Sequence, residues 1–220
     1  MTGTLYLGGG GSADDERAVW IDMLQDAPRV LYWPFALEGA TLDGAPAWLA
    51  AGLSDLGVET AVTVWTGLGG HDPAELADFD LLFIGGGNTF TLLDQVRRHG
   101  FLEPVRRFVA AGGSLYGGSA GAILAGAEIG IAADADANDV GLTDLGGLGL
   151  LGSAVVHPHH TPDQHTIARD YARVSGHPVI AIPERGGVVV RDERFRSAGP
   201  QSCWVINAEN IVEQPAGSRW

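Results

Sequence analysis

The 220-residue sequence carries 13 basic and 27 acidic side chains, a formal charge of −14, and 45% of its residues are hydrophobic. That charge repels a phosphate backbone or an anionic membrane unless a strong basic patch offsets it. The nearest approach to one, Arg97, Arg98, Arg106 and Arg107, falls at helical spacing and reads as the solvated face of two helices, so nucleic acid is excluded as a partner. No Pro/Ser-rich linker, repeat or low-complexity tract divides the chain, which is read as one domain over 1–220.

The N-terminus shows no basic segment leading into an apolar one. No apolar run approaches the roughly 18 residues of a membrane span. A cytoplasmic protein without a membrane partner is therefore expected. Leu5-Tyr6-Leu7 is a short strand ending in Gly8 to Gly11 and Ser12; Ala13 to Leu24 then reads as a helix, with Ser12 as its N-cap and Asp14, Asp15 and Glu16 in its first turn. The glycine loop lacks G-x-G-x-x-G with a later acidic ribose ligand, so it reads as one wall of a pocket rather than a dinucleotide site. Val30 to Trp33 is a second strand stopped by Pro34, Ala47 to Leu56 a helix, Val58 to Val64 a third strand and Pro73 to Ala77 a short helix. Asp80 to Ile84 is a continuous apolar run, as a strand buried on both faces requires.

Strands alternating with helices at this spacing imply an α/β fold: a doubly wound, mostly parallel sheet with helices on both faces and active loops at the strand C-termini. One such end carries Gly85-Gly86-Gly87-Asn88, where bare amides can approach a ligand; the glycines equally permit a tight turn, and Asn88 a helix N-cap. A helix carrying Leu92, Leu93 and Val96 follows, then one over Leu102 to Ala111.

The chain next turns through Gly117-Gly118-Ser119-Ala120-Gly121, from strand to helix. Small neighbours leave Ser119 lifted clear of the sheet, with the Ala120 amide facing the same space, as in a nucleophile elbow. The pentapeptide alone leaves open an ordinary glycine-rich turn or a phosphate-binding loop. Beyond it, Asp134, Asp136, Asn138, Asp139 and Asp144 form an acidic loop without the offsets of a calcium site. Gly149 to Val156 reads as a strand opening into His157-Pro158-His159-His160. That end suits a general base, with metal ligation the rival; no Cys or H-E-x-x-H partner supports zinc, so neither metal nor cofactor is assigned. Pro162 to Val174 reads as a helix and Val179 to Ile182 as a strand with Glu184 beyond its tip. Short strands complete the chain, one of them holding the lone Cys203, which reads as a buried structural thiol, permits no internal disulfide and fits a reducing compartment.

Several of these motifs, in this order, resemble the peptidase E (aspartyl dipeptidase) family of serine peptidases: Tyr32 to Ala36, Ile84 to Phe90, Ser119 in Gly-Ser-Ala-Gly-Ala, Pro158-His159, Ile182-Pro183-Glu184, and the tail Val212 to Trp220. The resemblance implies a class I glutamine-amidotransferase-like fold and a serine exopeptidase acting on short peptides, with dipeptides bearing N-terminal Asp the first to try. In it Ser119 is the nucleophile, His159 the base and Glu184 the orienting acid. The amides of Gly87 and Ala120 form the oxyanion hole, and Gly86 and Asn88 lie against substrate. The family's substrate-pairing arginine has no residue clearly in register here; Arg169 or Arg173 is the substitute. His157 and His160 compete with His159, and Asp134 and Asp136 with Glu184. The alternative reading is a homologue without dipeptidase activity, either a glutamine-amidotransferase-like hydrolase or a small-molecule binding protein; a metal-dependent hydrolase built on His157 to His160 is a third. A small peptide is the expected partner. A homodimer is compatible with the size and fold, although no stripe in the sequence marks an interface.

Overall fold

Five short strands, each running into a loop and then a helix or a helical turn, build the centre of the molecule in the computed structural model, which describes residues 3–25 and 28–220. They are β1 (Leu5–Gly8), β2 (Val30–Trp33), β3 (Val62–Val64), β4 (Leu81–Ile84) and β5 (Ser114–Gly118), all parallel to their neighbours. The helices are α1 (Arg17–Met23), α2 (Gly39–Asp55), α3 (Thr89–Arg98), α4 (Leu102–Ala110) and α5 (Ala120–Ala125). Alternation along each strand sends successive side chains to opposite faces. Leu31, Trp33, Leu82, Ile84 and Leu115 therefore join the core that α3, α4 and α5 cover. Tyr32, Phe83 and Tyr116 join the one under α1 and α2.

Two further strands, β8 (Gly187–Arg191) and β9 (Arg194–Ala198), extend this sheet antiparallel beside β1, giving the order β3-β2-β4-β5-β1-β8-β9. The remaining strands, β6 (Val155–His157), β7 (Val179–Ala181), β10 (Cys203–Ile206) and β11 (Ile211–Gln214), form a separate four-stranded sheet in the order β11-β10-β7-β6. Helix α6 (His165–Ser175) packs on it through Ala168 and Ala172. The strand that delivers the histidines thus lies outside the main sheet, a division that short apolar runs do not reveal.

Local differences have local causes. Helix α1 starts at Arg17, not Ala13, because Ser12 pairs with Asp15 in a turn and the Glu16 carboxylate faces inward instead of capping. Helix α2 accommodates Pro46 and so begins at Gly39, while β3 is confined to three residues. Pro73–Asp78 is a 3-10 turn held by reciprocal capping between Asp72 and Glu75. Residues 150–153 form a turn, leaving β6 only Val155–His157. Cys203 is fully buried, donates to the Gly187 carbonyl, and burial pushes its thiol pKa up to about 12. Among the described residues no helix is long and apolar enough to cross a membrane.

Candidate active site

Ser119 stands between β5 and α5 with φ 51° and ψ −110°, a conformation that costs a non-glycine residue about 1–3 kcal/mol. The neighbours make the bend feasible. A Cβ on Gly117 would fall 2.5 Å from the Gly121 carbonyl, and one on Gly121 only 2.4 Å from the Ile84 carbonyl oxygen. The helix can thus leave the sheet at this angle only with glycine at both places.

His159 approaches from the second sheet and has a positive φ of 53°. Its amide donates to the Gly9 carbonyl at 2.8 Å, fixing it to the loop after β1. Ser119 Oγ lies 2.9 Å from His159 Nε2, and His159 Nδ1 lies 3.0 Å from Glu184 Oε1. This sequence of contacts selects the tautomer with the proton on Nδ1, donating to the carboxylate, while Nε2 accepts from the serine hydroxyl. The His159 and Glu184 side chains are 46% and 61% exposed, so water screens their attraction in the free protein.

The competing histidines are engaged elsewhere. His157 and His160 face each other through their Nδ1 atoms at 2.9 Å. Burial, with His157 and His165 adding like-charge repulsion, lowers the His160 pKa to about 4, and burial likewise lowers that of His157. Both are therefore neutral near pH 7. Asp136 accepts from the amide and hydroxyl of Thr89, at 2.8 and 2.6 Å, and so caps the start of α3. Asp134 lines a cavity beside Ser119. Neither aspartate hydrogen-bonds to a histidine among the described residues, where no group of three or more His, Cys, Asp or Glu is arranged to hold a metal.

The amides of Gly86 and Gly87 donate to no acceptor among the described residues, and Ala120 occupies the first, unpaired turn of α5. Gly87 has φ 129°, and a Cβ there would meet the Ala36 carbonyl oxygen at 2.1 Å. A Cβ on Gly86 would approach that of Ser119 to 3.3 Å. Two of the residues expected at the substrate have other contacts here. Asn88 spends its side chain on structure, accepting from the Thr91 amide as N-cap of α3 and donating to the Ala137 carbonyl. Arg169 is exposed and lines neither cavity at Ser119, because Ile167, Ala168 and Tyr171 of α6, with Gln164 at its N-cap, line the cavity and Arg169 points away from it. Arg173 instead pairs with Asp170 on the surface.

Ser119 lies where two cavities meet. The larger, of about 540 Å³, contains Gly87, His159, Asp134 and Tyr171; the other, of about 410 Å³, lies over the aromatic face of the main sheet. Among the described residues no arginine lines either one. Sequence reasoning missed the second cavity and also Glu16, which is 1% exposed beneath the loop after β1. Its carboxylate accepts from the amides of Gly10 and Gly11 at 2.7 and 3.1 Å, from Trp20, and from the Tyr116 hydroxyl. Burial outweighs these donors and raises its pKa to about 7. The loop it holds sits hard against His159: a Cβ on Gly10 would fall 2.3 Å from its imidazole. Nothing in Asp14-Asp15-Glu16 singles out the third acid, because only burial separates it from its neighbours. The second cavity had a signal in the aromatic residue that precedes the loop after each of β2, β4 and β5.

Residues 5–198 match the model of peptidase family S51. Peptidase E of Citrobacter koseri is 32% identical over 214 residues, covering 90% of this chain and 89% of that one, and peptidase E of Escherichia coli is 31% identical over the same span. The crystal structure of a peptidase from an acI-B1 actinobacterium superimposes with a TM-score of 0.74 over 100% of this chain and 97% of the other, at 19% identity, a likeness of fold. That fold is the class I glutamine-amidotransferase-like α/β arrangement. With a serine at the bend of such a sheet, the chain belongs to peptidase family S51, the peptidase E group, and is a serine-type peptidase.

Proposed function

We propose that the enzyme hydrolyses short peptides by acyl transfer through Ser119, His159 and Glu184. The single observation that carries this reading is the uninterrupted chain of contacts, 2.9 Å from Ser119 Oγ to His159 Nε2 and 3.0 Å from His159 Nδ1 to Glu184 Oε1. His159 takes the hydroxyl proton as Ser119 Oγ bonds to the scissile carbonyl carbon, then returns it to the departing amine as the C–N bond breaks. Water repeats the sequence in reverse on the acyl-enzyme. Glu184 keeps the Nδ1 proton in place and stabilises the imidazolium. The amides of Ala120 and Gly87 receive the oxyanion, each lowering the barrier by about 3 kcal/mol.

The open cavities at Ser119 suit the free ends of short peptides, which supports exopeptidase action. Dipeptides with N-terminal Asp belong in the first panel, but no arginine lines either cavity to pair with their side chain, and one cavity carries Asp134. The reading therefore includes no preference for them.

Glu184→Gln is expected to lower kcat on the order of 10²-fold or more with little change in KM, because the amide no longer stabilises the imidazolium. Asp136→Asn should leave kcat within a few-fold. Steady-state kinetics on one cleaved dipeptide checks both, and a larger loss at Asp136 than at Glu184 would transfer the orienting role.

A further inference from the structure

The aromatic cavity beside Ser119 is wider than the elbow needs. Its floor is a row across three adjacent strands, Tyr32 on β2 opposite Phe83 on β4, itself opposite Tyr116 on β5. The ring centroids are 5.2 Å apart for the first pair and 4.2 Å for the second. Helix α2 forms the opposite wall with residues at helical spacing, among them Gly44 and Trp48. Trp48 is 46% exposed, although its ring also packs edge-on against the buried Trp20. Among the described residues no charged side chain lines the cavity.

Two details bear on what the space can hold. Tyr32 is only 1% exposed and lines the cavity; its hydroxyl enters none of the side-chain hydrogen bonds of the described residues and is not among their fully buried unpartnered polar atoms, so it opens to the cavity. Gly44 lies mid-helix, where alanine is favoured by about 1 kcal/mol, and a Cβ there would meet nothing within 4 Å. Gly44 is exposed on α2 where the helix lines the cavity, so a larger side chain at this position has room.

From this we infer that the aromatic cavity is a specificity subsite, taking a bulky neutral side chain, aromatic or large aliphatic, from a residue flanking the scissile bond. The inference rests on the acyl-transfer reading, since the cavity acquires this role from Ser119 at its edge. Apolar walls remove the side chain from water, and the Tyr32 hydroxyl is free to donate to a polar atom at its end or in the adjoining peptide unit. A carboxylate finds no counter-charge here.

The test is a matrix of Ala-X and X-Ala dipeptides with X as Ala, Leu, Phe, Tyr or Asp, assayed on the wild type, Gly44→Ala and Gly44→Phe. The wild type should favour Leu, Phe or Tyr over Ala at one of the two positions by at least about tenfold in kcat/KM. Gly44→Phe, whose ring projects into the open space, should cut that ratio about tenfold or more, and Gly44→Ala should retain most of it. Thermal denaturation and labelling of Ser119 by a small fluorophosphonate show whether each variant keeps its fold and site. A labelled, folded Gly44→Phe enzyme with the wild-type ratio would overturn the subsite, as would a wild-type preference for Asp or Ala at both positions. Absence of both labelling and hydrolysis in the wild type would instead overturn the acyl-transfer reading, and the subsite with it.

Discussion

Replacing Ser119 by Ala, or His159 by Ala, should each reduce kcat/KM on the order of 10⁵-fold, and the double variant should lose little more. The reason is that the two side chains act as one unit. With its oxygen 2.9 Å from Nε2, the serine is a nucleophile only while the imidazole can take its proton, and without the serine the imidazole has no proton to move. The activity that persists should be what substrate binding and the oxyanion amides give to water attack. Both substitutions remove atoms from a half-exposed site, and alanine keeps the Cβ that serine holds at φ 51°, so stability should hold. Two independent losses that multiplied in the double variant would mean that the pair does not work together.

A second large effect concerns stability. Glu16 ionises near 4.5 in an unfolded chain and near 7 in the native protein, principally because burial penalises its charge. Between these values the unfolded state has released a proton that the native state still holds, so Glu16 makes stability fall as pH rises through that window. The displacement corresponds to about 3 kcal/mol, an upper bound for a group that also has four hydrogen-bond donors. His160 acts in the opposite sense. Its native pKa of about 4 lies below its unfolded value of 6.5, so its contribution rises with pH over nearly the same interval. His157, whose pKa burial also lowers, acts in the same sense as His160, so the two histidines oppose the Glu16 term in the wild-type profile. Glu16→Gln removes that term: its amide oxygen can accept from Gly10 and Gly11 while its NH₂ donates to the Tyr116 oxygen. Urea unfolding of both proteins at pH 4.5 and 7.5 should show the variant gaining about 3 kcal/mol relative to the wild type across the interval. The histidine terms, common to both proteins, drop out of that difference. A difference that stays constant with pH would mean that Glu16 is charged throughout.

The succession of strands and helices was legible because each central strand is a short apolar run closed by Gly or Pro, as Leu81 to Ile84 shows. Ser119 was legible for a steric reason: a strand that reverses into a helix tolerates only small neighbours, and Gly117 and Gly121 meet backbone at 2.5 and 2.4 Å. Choosing among His157, His159 and His160 needed the fold, because three adjacent histidines have the same chemistry until one is turned by a positive φ toward the serine and the others toward each other. Asn88 and Asp136 illustrate the converse. Their polar side chains suit substrate contact and helix capping equally well, and in the structure both cap α3. Glu16 and the row Tyr32, Phe83 and Tyr116 depend on contacts between strands and loops far apart in sequence, which local pattern does not encode.

The most direct test of the proposed chemistry is intact mass and peptide mapping after exposure to a small alkyl fluorophosphonate near pH 7.5. Ser119 Oγ should bond to phosphorus with loss of fluoride, its proton passing to His159, giving one adduct per chain on the peptide containing residue 119. The adduct should be absent from Ser119→Ala and should form far more slowly in His159→Ala. A folded wild-type protein that stays unmodified at Ser119, or a Ser119→Ala variant that still hydrolyses dipeptides at the wild-type rate, would contradict the account.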